Sequence, residues 1–318
     1  MPPAIGGHRS ISSVWLALGV LAAALAWSYL PTILELNTFW SRNEDYSVGR
    51  LVPFVAAFIV WRRRAELAAL PRRPAWSGIG LLLAAELLRF AGVWFGSASG
   101  ERYAFVLAIA GLVLLAGGWV LFGRLRWVLL FLVLMIPLPA RVHESIAVPL
   151  QNAATQMTAF SLELFGYYII REGNIIRMEG GTQIAVTEAC SGLRLLSAFV
   201  FIAATLAFFV RGPWWRRAIL VASSLPIAVL ANAIRGFATA LFVHYARDPT
   251  LNLTFHDFAG LAMMPLALLM LWGVLRSIDF VEGVFHEPQA DASASASRRR
   301  GRAASNGRSS TNRPGGGH

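Results

Sequence analysis

Long apolar stretches recur along the whole chain, and the short runs between them carry arginine but never lysine. A bilayer core about 30 Å thick is crossed by about 20 apolar residues of helix. Eight stretches approach that length: residues 14–34, 48–61, 76–95, 102–122, 127–139, 190–210, 218–245 and 256–275. The second and fifth are short and fit a bilayer by tilting or by partial insertion. Of the 318 residues 56% are hydrophobic and 14% charged, and the mean hydropathy is +0.57, which excludes a water-facing surface of ordinary composition. The expectation is an all-α polytopic membrane protein of about eight transmembrane helices. Its first span is longer than a signal-peptide core and lacks a small-residue cleavage site, so it is read as a retained helix.

Arginine placement sets the expected orientation. The runs after spans two, four and six hold Arg62, Arg63, Arg64, Arg72 and Arg73, then Arg124 and Arg126, then Arg211, Arg216 and Arg217. Short, basic loops of this kind stay in the cytoplasm. The alternate segments carry Glu44, Asp45, Glu101, Glu144, Glu163, Glu172, Glu179 and Glu188 and are expected outside. An even number of spans then leaves both termini in the cytoplasm. These loops and the tail account for the net charge of +11, and nucleic acid is not an expected partner.

Three regions follow: a cytoplasmic N-terminus at 1–13, a transmembrane domain at 14–279 with an external cap segment at 140–189, and a basic tail at 280–318 expected to be disordered. In the cap segment, Val148, Leu150, Met157, Phe160 and Leu164 recur at helical spacing, which predicts an amphipathic helix over 148–166 lying along the membrane surface. Residues 167–171, 174–178 and 182–187, punctuated by Gly173 and Gly180–Gly181, predict a small β-meander or hairpin capping the outer face. In the tail, Arg298, Arg299, Arg300 and Arg302 are expected near anionic lipid head groups.

Ionisable side chains inside spans are costly and point to pairing or function. Glu86 and Arg89 are three apart on one helical face and predict a structural ion pair. Cys190 enters span six from outside, Arg194 lies one turn deeper, Arg235 falls in the outer half of span seven, and His256 opens span eight; His244 and Asp257 sit at span edges. Topology thus gathers a thiol, two guanidiniums and an imidazole in one outer layer. Positive charge around a thiol fills its nucleophilic thiolate state. An imidazole nearby moves the proton, and a guanidinium supports a developing oxyanion. A plainer reading stands beside this one: a lone cysteine is a small apolar packing residue, and a buried arginine pairs with Glu188 or with backbone carbonyls.

Other signatures fail. His143–Glu144 lacks the second histidine of a zinc-protease helix. Gly96-Ser97-Ala98-Ser99-Gly100 has alanine where a nucleophile elbow needs serine, and reads as a flexible tip. One cysteine forms no internal disulfide and no paired-cysteine metal site, and no cofactor is expected.

The stretch Glu188-Ala189-Cys190-Ser191-Gly192-Leu193-Arg194, followed by Pro226 and Asn232-Ala233-Ile234-Arg235, then by His256 and Gly260, resembles the exosortase/archaeosortase signature. Asp45-Tyr46-Ser47 with Gly49 and Leu51-Val52-Pro53, Met135-Ile136-Pro137-Leu138-Pro139, Pro149-Leu150-Gln151 and Glu172-Gly173-Asn174 resemble further blocks of that family, which together span roughly residues 40–275. The resemblance implies a multi-pass cysteine transpeptidase or endopeptidase of the cytoplasmic membrane, acting on its outer side. Its substrates would be exported proteins with a C-terminal Pro-Glu-Pro-type motif, a transmembrane helix and a basic cluster. The family's catalytic residues map to Cys190, Arg235 and His256. Glu188, Arg194 and Asn232 stand in the same motifs and are expected to support the site or to bind substrate. Two departures stand out: Val48 occupies a position where many members have histidine, and no soluble partner domain follows span eight. Two other classes remain open at this point, an anion transporter and a non-catalytic scaffold for envelope polysaccharide assembly. The transporter predicts inverted repeats between the halves, and none is visible.

Overall fold

Proline ends the first helix. The computed structural model describes residues 11–71, 73–179, 183–185, 193–246, 258–260 and 262–282, with side chains from Gly19 onward. Helix α1 (Ile11–Ser28) gives way to α2 (Leu30–Arg42) at Tyr29, and the axes meet at 58°. Pro31, in the first turn of α2, has no N–H to continue the ladder and its ring displaces the preceding turn. The carbonyl of Ser28 freed by the bend accepts from Arg89 Nη2 at 2.9 Å, while Nη1 donates to Ser28 Oγ at 2.7 Å. Arg89 also lies 4.7 Å over the Tyr29 ring and 3.8 Å from Glu86, the expected i,i+3 pair.

A 3-10 segment (Glu44–Leu51) follows, capped by Asn43, whose side chain accepts from the Asp45 N–H at 3.1 Å. It runs into α3 (Val52–Arg62) and α4 (Arg64–Ala68). Helices α5 (Ser77–Trp94) and α6 (Ala98–Leu132) form an antiparallel hairpin on small residues. Gly78 meets the Leu115 backbone, Gly111 meets Leu82, and Gly92 meets Gly100. Lipid offers no hydrophobic gain for helix pairing, so close van der Waals approach at glycine supplies it instead. The expected flexible tip at 96–100 is the tight turn of this hairpin. A half-buried ion pair that the sequence does not announce joins α2 to α6: Arg102 Nη2 is 2.8 Å from Glu35, and its buried guanidinium lies 5.0 Å over Phe39.

Four helices among the described residues are long and apolar enough to cross a membrane: α5, Ala98–Met135, α9 (Trp214–Ala246) and α10 (Phe258–Glu282); the bent α1–α2 pair makes a fifth. The expectation of eight is corrected for physical reasons. In the 48–61 stretch the 3-10 segment takes the first residues, which leaves 11 for α3. Stretches 102–122 and 127–139 fuse in α6, because Arg124 and Arg126 remain helical with exposed side chains, and the bend falls instead at Gly118 (φ +71°). A side chain there would be strained and would overlap the Arg73 carbonyl oxygen, so only glycine fits. In the 190–210 stretch the helix α8 (Leu193–Ala207) has 15 residues.

Helix α7 (Ala140–Leu164) packs against α9 and starts eight residues before the expected position, and of the expected apolar stripe only Leu150 is buried. Leu150, Ala154, Thr155, Thr158, Ala159 and Leu162 are buried, whereas Val148, Met157, Phe160 (66% exposed) and Leu164 (72% exposed) point away from the protein. That arrangement is the one lipid favours: small and hydroxylated residues face the neighbouring helix and large apolar ones face hydrocarbon. Strands β1 (Ile169–Glu172), β2 (Ile175–Met178) and β3 (Gln183–Ala185) form an antiparallel sheet in that order, Ile169 opposite Met178 and Ile176 opposite Ile184. Ile176 and Met178 bury against Leu162 of α7 and Ala240 of α9.

Leu36, Trp40, Val52, Ile59, Val106, Val128 and Phe131 form an apolar core between α2, α3 and α6, and Phe201 and Phe208 pack against it. Contacts divide the chain inside α10. Residues Met1–Ala267 make one unit and Leu268–His318 the other, in which Leu271 and Ile278 are buried.

Candidate active site

The family block that opens with Asp45 is folded directly against the start of α8, the helix whose first residue lies three positions after Cys190. Ser197 Oγ donates to the Asp45 carbonyl at 2.6 Å and also reaches Arg194 O at 2.9 Å. Arg194 forms an ion pair with Glu44. With 45% and 74% of these two side chains exposed, solvent screens the pair to less than about 1 kcal/mol, so its value is direction rather than stability. On the other side of the segment, the Tyr46 hydroxyl and His143 Nδ1 share a hydrogen bond at 2.9 Å, which ties in the first turn of α7. Burial pushes the Tyr46 phenol above its usual range, so it stays protonated at neutral pH. Trp40 Nε1 donates to the Met135 carbonyl at 2.9 Å, and a side chain at Gly49 would collide with that indole. Three distant parts of the chain are thus fastened to one eight-residue segment.

Arg235 stands elsewhere. It is 3% exposed on α9, with Asn232 (4% exposed) one turn earlier on the same face, and both residues take part in interactions. Its Nη1 is 3.9 Å from the point where a Cβ on Gly260 would sit, so the guanidinium ends beside the first turn of α10. A residue larger than alanine at 260 would press on it. Local packing locks that stretch of α9: Gly236 lies so close to Thr158 of α7 that a Cβ would overlap the hydroxyl, and Thr158 Oγ1 donates to Ala233 O at 3.4 Å. Arg235 is about 32 Å along the axis from Trp214, whereas α8 extends back about 21 Å from Ala207 to Leu193. In the α8–α9 hairpin Arg235 is therefore carried past the level at which α8 begins.

A guanidinium so placed offers five donors in a fixed plane within a low-dielectric setting, suited to a carboxylate or an oxyanion. Its desolvation is costly unless anionic or hydrogen-bonding partners meet it.

Of the expected site residues, Arg194, Asn232 and Arg235 lie among the described residues, while Glu188, Cys190 and His256 lie outside them, as does Asp257. Arg194 and Arg235 take different settings, one in an exposed ion pair and one buried. His244, in the last turn of α9, stacks edge-on against Tyr167 at 5.8 Å, and the Tyr167 hydroxyl meets that of Tyr245 at 2.8 Å. The residues that sequence reasoning did not assign to the site are Ser197, Tyr46 and His143. Their partners are 97 to 152 positions away, and no local periodicity reveals such pairs; the only signal was that Asp45-Tyr46-Ser47 forms part of a family block.

A family model described as transmembrane exosortase matches residues 40–273, well over half of the chain. Among curated proteins and among solved structures, none matches it.

Proposed function

Because the chain belongs to the transmembrane exosortase family, we propose that it is a membrane cysteine transpeptidase or endopeptidase that removes the C-terminal sorting tail of exported proteins. In this reading His256 accepts the Cys190 thiol proton, and the thiolate sulfur bonds to a substrate carbonyl carbon. The carbonyl electron pair moves to oxygen, where Arg235 donates hydrogen bonds to the oxyanion. Collapse re-forms the carbonyl, breaks the C–N bond and sends the proton from His256 to the departing amine of the tail. An acceptor amine or water then attacks the thioester, and Cys190 leaves as thiolate. Glu188, Arg194 and Asn232 support this arrangement or contact substrate.

The observation that carries the reading is Arg235: a guanidinium buried on α9 and ending beside Gly260, four residues beyond His256. A buried cation at that position has a physical reason to exist where negative charge develops. Substrates carry a Pro-Glu-Pro-type motif, a transmembrane helix and a basic cluster. The protein lies in the cytoplasmic membrane as a multi-pass protein, both termini inside, with the transmembrane domain at 14–279 and the tail at 280–318 near anionic lipid. The catalytic layer faces outward beneath the sheet β1–β3.

Co-expression with such a substrate tests the reaction. Cys190→Ala and Cys190→Ser should insert normally and leave the substrate at full mass. Tail removal at near wild-type rate in Cys190→Ala would eliminate the mechanism and favour a scaffold.

A further inference from the structure

Where α3 and α4 lean on the bend of α6, an open cleft of about 630 Å3 remains. Its walls are apolar, among them Ala57, Trp61, Leu67, Leu121 and Leu125, and Arg64 is its one charged lining residue. The volume is of the order that takes a small ligand. Arg64 lies 4.5 Å over the Trp61 ring and donates from Nη1 to Trp61 O at 3.2 Å, and no carboxylate among the described residues pairs with it. Glu66, the one acid nearby, is shared between Arg63 at 3.3 Å and Arg124 at 3.4 Å. Arg62 stacks 6.0 Å from the Phe209 ring, so the run 62–64 and Arg124 bring four arginines and one carboxylate, which pairs with two of them.

We propose that this cleft binds an anionic phospholipid, one acyl chain lying along the apolar walls and the phosphate on Arg64. Hydrocarbon suits walls that offer no hydrogen-bond partner, and the planar fork of an arginine matches phosphate oxygens two at a time. Basic pockets between membrane helices take anionic head groups in this way. Charge decides against the other candidates. The arginine-rich residues 298–302 of this chain, or the basic cluster of a substrate tail, would meet an excess of like charge. The bend at Gly118 lies at the edge of the cleft, next to its lining residues Ala116 and Gly117. The site is independent of the reaction proposed above and of which face of the membrane it occupies.

The full chain, reconstituted with equal amounts of phosphatidylglycerol and phosphatidylcholine of matched chains, is released into mild detergent and weighed by native mass spectrometry. One phosphatidylglycerol should be retained in preference to phosphatidylcholine. Arg64→Gln, which alters only an exposed head group, should lower that preference about fivefold, corresponding to about 1 kcal/mol per arginine at a lipid surface. Ala57→Phe should fill the cleft and lose the retained lipid while the protein stays monodisperse. A photoreactive benzoylphenylalanine at Leu67 should cross-link to lipid. Equal retention of the two lipids, an unchanged preference in Arg64→Gln, or adducts from position 67 to a substrate tail or a second copy of the chain would overturn the proposal.

Discussion

Helix α8 is held at its two ends by different chemistry. At Leu193 the contacts are directional and atom-specific: Ser197 to the Asp45 carbonyl, Arg194 to Glu44, and beside them Tyr46 to His143. At Ala207 they are broad: Phe208 meets Phe131 edge-on at 5.6 Å, Phe209 lies under Arg62, and an apolar cleft stays open nearby. Helix α3 runs between the same two ends, from the 3-10 segment to the arginine cluster. Stacks of arginine on rings tolerate shifts of an ångström, whereas hydrogen bonds of 2.6 to 2.9 Å do not. One end is therefore built to fix a position and the other to fix a charge. A reaction that needs its groups held within about 0.5 Å belongs at the first end.

The largest expected effect tests the buried cation on α9. Arg235→Lys keeps the charge but loses the planar fork, and processing of a co-expressed substrate should fall at least tenfold, about 1.4 kcal/mol in barrier. Retention of more than about a tenth of the activity would reduce Arg235 to charge neutralisation. Next comes the fastening itself. Ser197→Ala and Tyr46→Phe each remove one hydrogen bond worth about 1 kcal/mol, and each should slow processing about fivefold in kcat with KM and membrane yield unchanged. Equal losses in yield and activity would make the segment a folding element only.

Glu44→Gln should cost less, no more than about threefold, and 0.5 M salt should reproduce most of that loss in the wild type because the pair is exposed. Smallest of all, Arg62→Gln at the opposite end should leave processing within about twofold of wild type. A larger change there would erase the distinction between the two ends.

How much of this was legible follows from the same contrast. Local relations were readable: the Glu86–Arg89 pair needs only helical spacing, and the segments 167–171, 174–178 and 182–187 marked off by glycines contain or overlap the three strands that pair. The gathering of arginines was readable in part, because the runs at 62–64 and 124 meet through Glu66. Arg124 and Arg126 nevertheless misled as a loop, since an arginine on the outside of a helix does not break it, whereas Gly118 does. On α7, Val148, Met157, Phe160 and Leu164 turn away from the protein, as a stripe read as facing the membrane should; Leu150 is the exception, and the opposite face of small and hydroxylated residues that packs on α9 was not read from the sequence. The contacts at the head of α8, such as Glu44 with Arg194 across 150 positions, carry no periodic signal at all.

The proposed function requires an activated thiol on the outer face, and Cys190, the sole cysteine, can report on it without any substrate. A small, charged, membrane-impermeant methanethiosulfonate reagent applied to intact spheroplasts should label it faster than a free thiol at neutral pH, as the proposed mechanism requires of a thiol with cations around it. The rate should drop in Arg235→Ala. Labelling confined to inverted vesicles, where only the cytoplasmic face is open to reagent, would contradict the topology and the proposed site together.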